Sequence, residues 1–373
     1  MRASSSGFLA AAILIAVVLA TAVSVSGHPG HDINITSSPW DSFNELVGCH
    51  RGVNQTGLAN LKQYFHYFGY IPENDPNSDD TFDDILENAI KTYQRNFNLN
   101  VSGVLDAATV AQVVRPRCGV PDIVNGTTTM NSGKSSKTQR GSGGVVHSVA
   151  HFSFFPDRPT WGDKRDLTYY LDSSSSSSQQ IVDAQRMSVI FSRAFSRWSA
   201  VTPLTFRETD TRSSADIRVG FYSDDHGDGE PFDGLLGTLA HAFSPPDGRL
   251  HLDAAENWNV NSDDSVGFTQ VDLESVAVHE IGHLLGLGHS SVEEAIMYPS
   301  ITSGSRRVDL AADDVDGIQE LYGSNPNGAS PAVPSTQERE TSDSDSRLLR
   351  RGSATILTTG LIGLSTSLFF SLL

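Results

Sequence analysis

Residues 279–289 read HEIGHLLGLGH, and no other stretch narrows the architecture of this chain so far. His279 and His283 are four residues apart, so on an α-helix they project from one face, one turn from each other. Val276, Ile281, Leu284 and Leu285 are apolar, which calls for a helix sunk in a core. Gly286 permits a sharp turn after that helix, and His289 can then come back to meet the other two. Three imidazoles can grip one metal ion and leave a fourth tetrahedral position open, as a catalytic zinc site requires. Glu280, beside the first imidazole, is placed to take a proton from water and pass it to a leaving amine. An ordinary helix carrying three unrelated histidines would explain none of this spacing.

Composition excludes several other classes. The chain has 373 residues, enough for two modest domains. It carries 26 Lys and Arg against 44 Asp and Glu, a formal net charge of −18 that repels phosphate backbones and argues against a nucleic-acid partner. A hydrophobic content of 38% supports a packed core. Cys49 and Cys118 are too few for a disulfide framework.

Both ends of the chain read as addresses. Residues 1–27 combine Arg2, an apolar run over 8–23 and small residues at 24–27, the pattern of a secretory signal; a retained membrane anchor is the alternative. A second apolar run, 354–373, follows the small, polar TSDSDS and the basic SRLLRR. This order matches a glycolipid (GPI) anchor signal over residues 345–373, with Ser344 as candidate attachment residue. A true span would put the arginines on the outer face, against the positive-inside bias. The expected location is therefore the outer face of the plasma membrane, with a single-pass anchor or free secretion as alternatives.

Between these ends, residues 40–114 read as a small helical unit. Leu58, Leu61, Phe65 and Phe68 recur at helical spacing, as do Phe82, Ile85, Ala89, Tyr93 and Phe97. NLNVSGVLD (98–106) breaks the second helix, and a short third one resumes over 107–113. Four sequons, at Asn34, Asn54, Asn100 and Asn125, predict an exposed unit open to glycosylation. Residues 123–144 are a linker by composition and the obvious place for proteolysis. Beyond it, 167–171 predicts a strand, the serine run 173–178 a low-complexity loop, and Met187, Ile190, Phe191, Ala194, Phe195 and Trp198 an amphipathic helix. Short strands are expected around Phe206 and Ile217, which makes this region mixed α/β.

The histidine stretch is the extended zinc motif of the metzincins, and Met297, in AIMYP eight residues after His289, resembles that clan's Met-turn beneath the zinc. The stretch 226–258, HGDGEPFDGLLGTLAHAFSPPDGRLHLDAAENW, resembles the structural zinc and calcium segment of the matrix metalloproteinases, the matrixins. The resemblance implies a structural zinc held by His226, Asp228, His241 and His251, a closed shell of three imidazoles and one carboxylate. It also implies at least one calcium held by Asp233, Asp253 and Glu256 with the carbonyls of Gly234, Leu236 and Thr238. The segment is shorter between His241 and His251 than in vertebrate members, which weakens the case for a second calcium at Asp216.

PRCGVPD at 116–122 is similar to the matrixin cysteine switch. By that likeness Cys118 would occupy the open position of the catalytic zinc until the propeptide is removed. A disulfide between Cys118 and Cys49 is the structural alternative, and Cys49 otherwise has no assigned role. KTQR, before Gly141, has Lys137 where a furin-type activator needs arginine, which favours self-cleavage or another protease. The helical unit looks like the peptidoglycan-binding-like fold of matrixin propeptides, and DLAADDVDGIQELYG (309–323) resembles the last catalytic helix. No haemopexin segment fits after Gly323, so the whole looks most like the plant-type matrixins. Ile301 stands where many relatives carry tyrosine, in the wall of the primed-side pocket.

The fold expected is thus an α/β (α+β) metzincin zinc-protease catalytic domain with a mixed five-stranded sheet and three helices, preceded by a small all-α peptidoglycan-binding-like prodomain. The divisions are a signal peptide at 1–27, a propeptide at 28–122 and an activation linker at 123–151. A catalytic domain at 152–323, a linker at 324–344 and the anchor signal follow. The function expected is a secreted, membrane-tethered zinc endopeptidase of extracellular proteins or peptides, made latent, needing two zinc ions and calcium. The rival is a non-enzymatic binding protein in which the helical unit grips glycan, and a substituted Glu280 would have favoured it. A metzincin of another subfamily is the nearer rival, which the cysteine heptapeptide and the HGDGEPFDG segment together oppose.

Overall fold

A computed structural model describes residues 38–72, 79–130, 135–141, 144–173, 176–261 and 265–327. The signal and anchor segments, Asn34 and Ser344 lie outside these residues.

The N-terminal unit is built on α1 (Leu58–Tyr67), α2 (Asp84–Asn96) and α3 (Ala107–Val113), after a 3-10 turn at Asp41–Leu46. The carboxylates of Asp83 and Asp106 open α2 and α3 by accepting from Leu86 N and Thr109 N, each at 2.8 Å, which satisfies donors that a helix start leaves free. Leu58, Leu61, Phe65, Phe68, Phe82, Tyr93 and Phe97 share one core. Ile85 departs from the expected pattern: it is 37% exposed, and Leu86 and Ile90 point inward instead. Phe82 lies before the cap at Asp83, in extended chain, so it does not share the phase of the helix.

Next come β1 (Arg117–Cys118), a hairpin of β2 (Ile123–Val124) and β3 (Thr127–Thr128), a paired β4 (Ser135–Gly141) and β5 (Gly144–Val149), and β6 (Phe152–Phe154). The start of the expected linker is therefore tied into the body. Asp122 O and Thr129 N are bonded at 2.7 Å, Thr129 O accepts from His289 N at 2.7 Å, and Met130 is buried in the helical core. The threonines of this polar stretch find backbone partners, which composition does not report.

The rest of the chain forms β7 (Asp166–Leu171), α4 (Ser176–Ile181), α5 (Ala184–Val201), β8 (Thr205–Glu208), β9 (Ile217–Tyr222), β10 (Thr238–Ala242) and β11 (Arg249–Asp253). β12 (Trp258–Asn259), β13 (Val271–Asp272), α6 (Leu273–Leu284), β14 (Leu287–Ser290) and α7 (Ala312–Tyr322) complete it. The serine run is not all loop: α4 begins within it, and the Ser178 hydroxyl donates to Asp172 O at 2.5 Å. α4 is a short addition to the three longer helices α5, α6 and α7.

The main sheet has the order β1-β10-β11-β9-β7-β8. Five strands come from residues 166–253, as expected, and β1 adds the sixth. β10 runs antiparallel to β11, whereas β11, β9, β7 and β8 run parallel, so the sheet is mixed. Met187, Ile190, Phe191, Ala194, Phe195 and Trp198 of α5 share a core with Leu167, Val219 and Leu250 of the sheet and with α6. Every residue of α6 is buried. Its start is fixed by the Asp272 carboxylate, which accepts from Ser275 N at 2.8 Å, and by Glu274, paired with Arg193, Arg197 and Arg306. That rigid, enclosed helix is the platform for the histidines.

Candidate metal centre

α6 presents His279 and His283 with ring centroids 4.8 Å apart. Gly286, at φ +101°, then turns the chain where a Cβ would stand 2.2 Å from Pro159 O, so the reversal admits only glycine without strain. β14 brings His289 back, 4.8 Å from His283 and 5.4 Å from His279 between ring centroids. Cys118 Sγ lies 3.4 Å from His283 Nε2, and the ligand atoms of the four residues all fall within 4.8 Å of one another. A disulfide from Cys118 to Cys49 is absent; both thiols are free and buried.

Each imidazole is held by its other nitrogen. His279 Nδ1 donates to Ile296 O at 2.6 Å and His283 Nδ1 to Leu287 O at 2.8 Å, while His289 Nδ1 meets Asp122 Oδ1 at 2.9 Å. These bonds turn the Nε2 atoms inward. Nε2 of His279 and of His289 have no hydrogen-bond partner although both are buried, and an orphaned buried nitrogen asks for an explanation. Burial lowers all three imidazoles, His279 to about 3, so they stay neutral, the form that binds metal. Three nitrogens and one sulfur are a donor set suited to zinc. Burial also pushes the Cys118 thiol well up, a pressure that a cation at the centre would reverse. Both oxygens of Glu280 are buried without partners beside this centre, and burial pushes its carboxyl up to about 8.

Cys118 is positioned from three sides. β1 pairs in parallel with β10, Cys118 opposite Ala240, while Cys118 N donates to Pro299 O at 2.8 Å and Gly119 N to Ala240 O at 2.7 Å. Arg117, itself buried, places both Nη atoms on Asp122, at 2.6 and 3.0 Å, with its guanidinium 3.7 Å from the Phe68 ring centre. Tyr70 also donates to Asp122, at 2.8 Å. Asp122 therefore joins the helical unit, the switch segment and the third histidine. Its link to His289 was not legible in PRCGVPD, whose only visible partner for the carboxylate was Arg117.

Met297 lies beneath the centre, against α6: a Cβ on Gly282 would meet its Sδ at 2.3 Å. The Met297 turn is clasped by Asp314 of α7, which accepts from Ile296 N, Met297 N and Ala311 N at 2.8, 3.0 and 2.7 Å. Sequence reading did not single out Asp314. A cavity of about 30 Å³ opens beside Cys118 between Leu239, Val276, His279, Glu280 and Ile301.

A second cluster gathers His226, Asp228, His241 and His251. Asp228 Oδ2 lies 2.9 Å from His226 Nε2, 2.9 Å from His241 Nε2 and 2.7 Å from His251 Nδ1. Burial holds His241 and His251 down at about 4. Asp233, Asp253 and Glu256 sit nearby, pushed up by burial, and the last two also by neighbouring carboxylates, to about 6, 6 and 8. Asp253 Oδ2 and Glu256 Oε2 are buried without partners. Gly234 and Leu236 both adopt positive φ, and Leu236 O already accepts from Ser38 Oγ at 2.8 Å. The Asp233, Asp253 and Glu256 oxygens are not closed to the same spacing as the two histidine clusters. Asp216 accepts from Thr168 N at 2.8 Å and pairs with Lys164, so a resident ammonium already meets its charge. Asn54, Asn100 and Asn125 are all exposed.

A buried helix carrying two imidazoles, a third returned by a glycine turn and a carboxylate beside them define a zinc metalloendopeptidase of the metzincin fold. The chain belongs to the matrixin family. The family's model matches residues 160–323, and a peptidoglycan binding domain model matches residues 54–113. Metalloendoproteinase 2-MMP of Arabidopsis thaliana is 54% identical over 82% of this chain and 82% of its own length. Metalloendoproteinase 1 of Glycine max is 47% identical over 77% and 89%. Interstitial collagenase of Oryctolagus cuniculus is 37% identical over 66% of this chain and 45% of its own length. The family uses zinc, and His279, His283 and His289 fit the catalytic ion. None of the described helices is long and apolar enough to cross a membrane.

Proposed function

We propose that this chain is the latent precursor of an endopeptidase acting on extracellular proteins or peptides, with Glu280 as general base and acid and Cys118 as the removable block. The observation that carries this reading is the Cys118 sulfur seated among the three imidazoles, 3.4 Å from His283 Nε2. Zinc held by His279, His283 and His289 would supply Lewis-acid chemistry, acidifying water and polarising a peptide carbonyl. Glu280 takes the proton of the attacking water on a carboxylate oxygen and returns it to the departing amine. The edge of β10, which β1 now occupies through Arg117 N to Gly237 O at 3.1 Å and Gly119 N to Ala240 O, receives the substrate as an added strand over residues 237–243. Ile301 bounds the adjoining side-chain pocket.

The same reading assigns residues 28–122 to the propeptide, 123–151 to the activation segment and 152–323 to the catalytic domain. It gives a structural zinc to His226, Asp228, His241 and His251, and a calcium to the segment of Asp233, Asp253 and Glu256, whose crowded acids favour a cation. Secretion and a glycolipid tether are proposed from residues 1–27 and 345–373, and N-glycosylation from the sequons. The test is metal analysis together with hydrolysis of a quenched peptide before and after removal of the propeptide. Zinc in both forms and hydrolysis only after removal is the expected result. Hydrolysis that survives thorough chelation would refute it.

A further inference from the structure

Away from the histidine centre, a cavity of about 640 Å³ is walled by Arg212, Arg218, Tyr222, Arg249 and His251, and Asp210 is the one carboxylate in its wall. Leu250 and Leu252 face the core, so Arg249 and His251, which alternate with them, face the opposite side of the sheet. Arg218 and Arg249 stand directly opposite each other in the β9–β11 ladder, where like charges repel. Asp247 bonds directly to only one of them, its carboxylate taking Nε and an Nη of Arg249 at 2.7 and 2.9 Å, and Arg218 feels that charge from further off. Arg218 donates an Nη to the Asp247 carbonyl, at 2.7 Å, and its buried Nε has no partner. Among the described residues, no carboxylate pairs with Arg212 or Arg218. In a chain of net charge −18, guanidiniums gathered on one cavity with a single carboxylate in its wall make a local positive site that suits an anion.

We propose that this cavity is an exosite for an Asp- or Glu-rich segment of the peptide substrate. The proposal rests on the reading that substrate lies along β10, because Arg249 of the cavity wall lies against Phe243 at the end of that strand. Ala240 stands opposite Cys118, and Phe243 lies three residues on, about 10 Å along the chain. Phe243 N donates to Arg249 O at 2.9 Å, and the Arg249 guanidinium lies 3.9 Å from the Phe243 ring centre. A peptide leaving the edge at Phe243 therefore meets Arg249 first and Arg218 one strand further, about 5 Å away. The acidic side chain that reaches them sits roughly four to six residues from the cleaved bond. Guanidinium forks match carboxylates bidentately, and a local positive site offsets the repulsion an acidic substrate meets from the rest of the surface.

Equilibrium binding to the full chain tests this independently of peptidase activity, since no wall residue of the cavity belongs to the propeptide. A dye-labelled peptide bearing Glu-Glu-Glu should bind about tenfold more tightly than its Gln-Gln-Gln counterpart at low salt, and the advantage should shrink as salt is added. Replacing both arginines, Arg212→Gln with Arg218→Gln, should erase the difference. Arg212→Gln alone, at an exposed position that folding does not need, should weaken it by about threefold. Equal binding of the two peptides, or a Glu preference untouched in both variants, overturns the proposal. Tighter binding of a uronic-acid oligosaccharide than of the Glu peptide also overturns it, since the site would then be a glycan site. If the preference holds while the processed protein cleaves no peptide, the cavity binds acidic peptide but the endopeptidase reading, and with it the role as a substrate exosite, fails.

Discussion

Asp122 Oδ1 meets His289 Nδ1 at 2.9 Å, so the PRCGVPD segment itself orients one of the three imidazoles. The same carboxylate neutralises the buried Arg117, and burial, which would raise it, is outweighed by that charge and the imidazole, leaving Asp122 at about 2. Asp122→Asn keeps the shape and an oxygen for His289 but leaves the guanidinium without a counter-charge, a loss of about 3–5 kcal/mol for a buried pair. The full-length variant should hydrolyse a quenched peptide while mass spectrometry still finds the chain intact. A variant as latent as the parent would contradict the role given to this pair.

Glu280→Gln should keep the zinc stoichiometry of the parent and cut hydrolysis by about 10²–10⁴-fold after propeptide removal. The amide matches the carboxylate in size and cannot accept the proton. Metal analysis alongside initial rates separates loss of the base from loss of the ion.

Cys118→Ser should give a precursor that is active, or processes itself, without added protease. A hydroxyl is a poorer zinc ligand than a thiolate, so the block should weaken while β1 stays paired. Inert precursor of this variant, alongside active cleaved enzyme, would sink the assignment of Cys118.

Gly282→Ala should lower stability by about 1–3 kcal/mol through overpacking. The added methyl would meet Met297 Sδ at 2.3 Å and Trp198 at 3.1 Å, and neither has room to retreat in a buried core. Differential scanning calorimetry should register a lower Tm, by about 2–4 °C for each kcal/mol in a domain of this size. An unchanged Tm would show that Met297 does not bear on this helix.

Asp314 gives a pH signature. Burial outweighs its three backbone donors and raises it from 3.8 to about 7. Because the folded value lies above the unfolded one, the stability it contributes is full below about pH 4 and is lost as pH rises through about 7. Denaturant unfolding at pH 5 and pH 8 should show a drop in the parent, and Asp314→Asn should make that drop smaller by about 2–3 kcal/mol. A parallel drop in the variant would assign the effect to another group.

The histidine helix, the three helices of the N-terminal unit and the amphipathic α5 were legible because each is a local pattern: a 3.6-residue period, a glycine at a turn. PRCGVPD and HGDGEPFDG were legible as resemblances, which name residues without saying what touches them. Local patterns also misled at the edges. Ile85 followed the period but lies outside because Asp83 resets the phase, and the polar start of the linker is tied down because Thr129 finds backbone partners.

The chain's own order of residues thus determined the metal-binding triad, its adjacent carboxylate and the elements that carry them, since spacing along one helix and one turn is enough to aim them together. Only the tertiary structure decided what closes around that triad: β1 on the edge of β10, Asp122 against His289, Asp314 under Met297, Arg218 facing Arg249. These contacts join residues far apart in the chain, and their geometry depends on how sheets register and helices pack. No periodicity encodes that register, so it exists only once the core has formed.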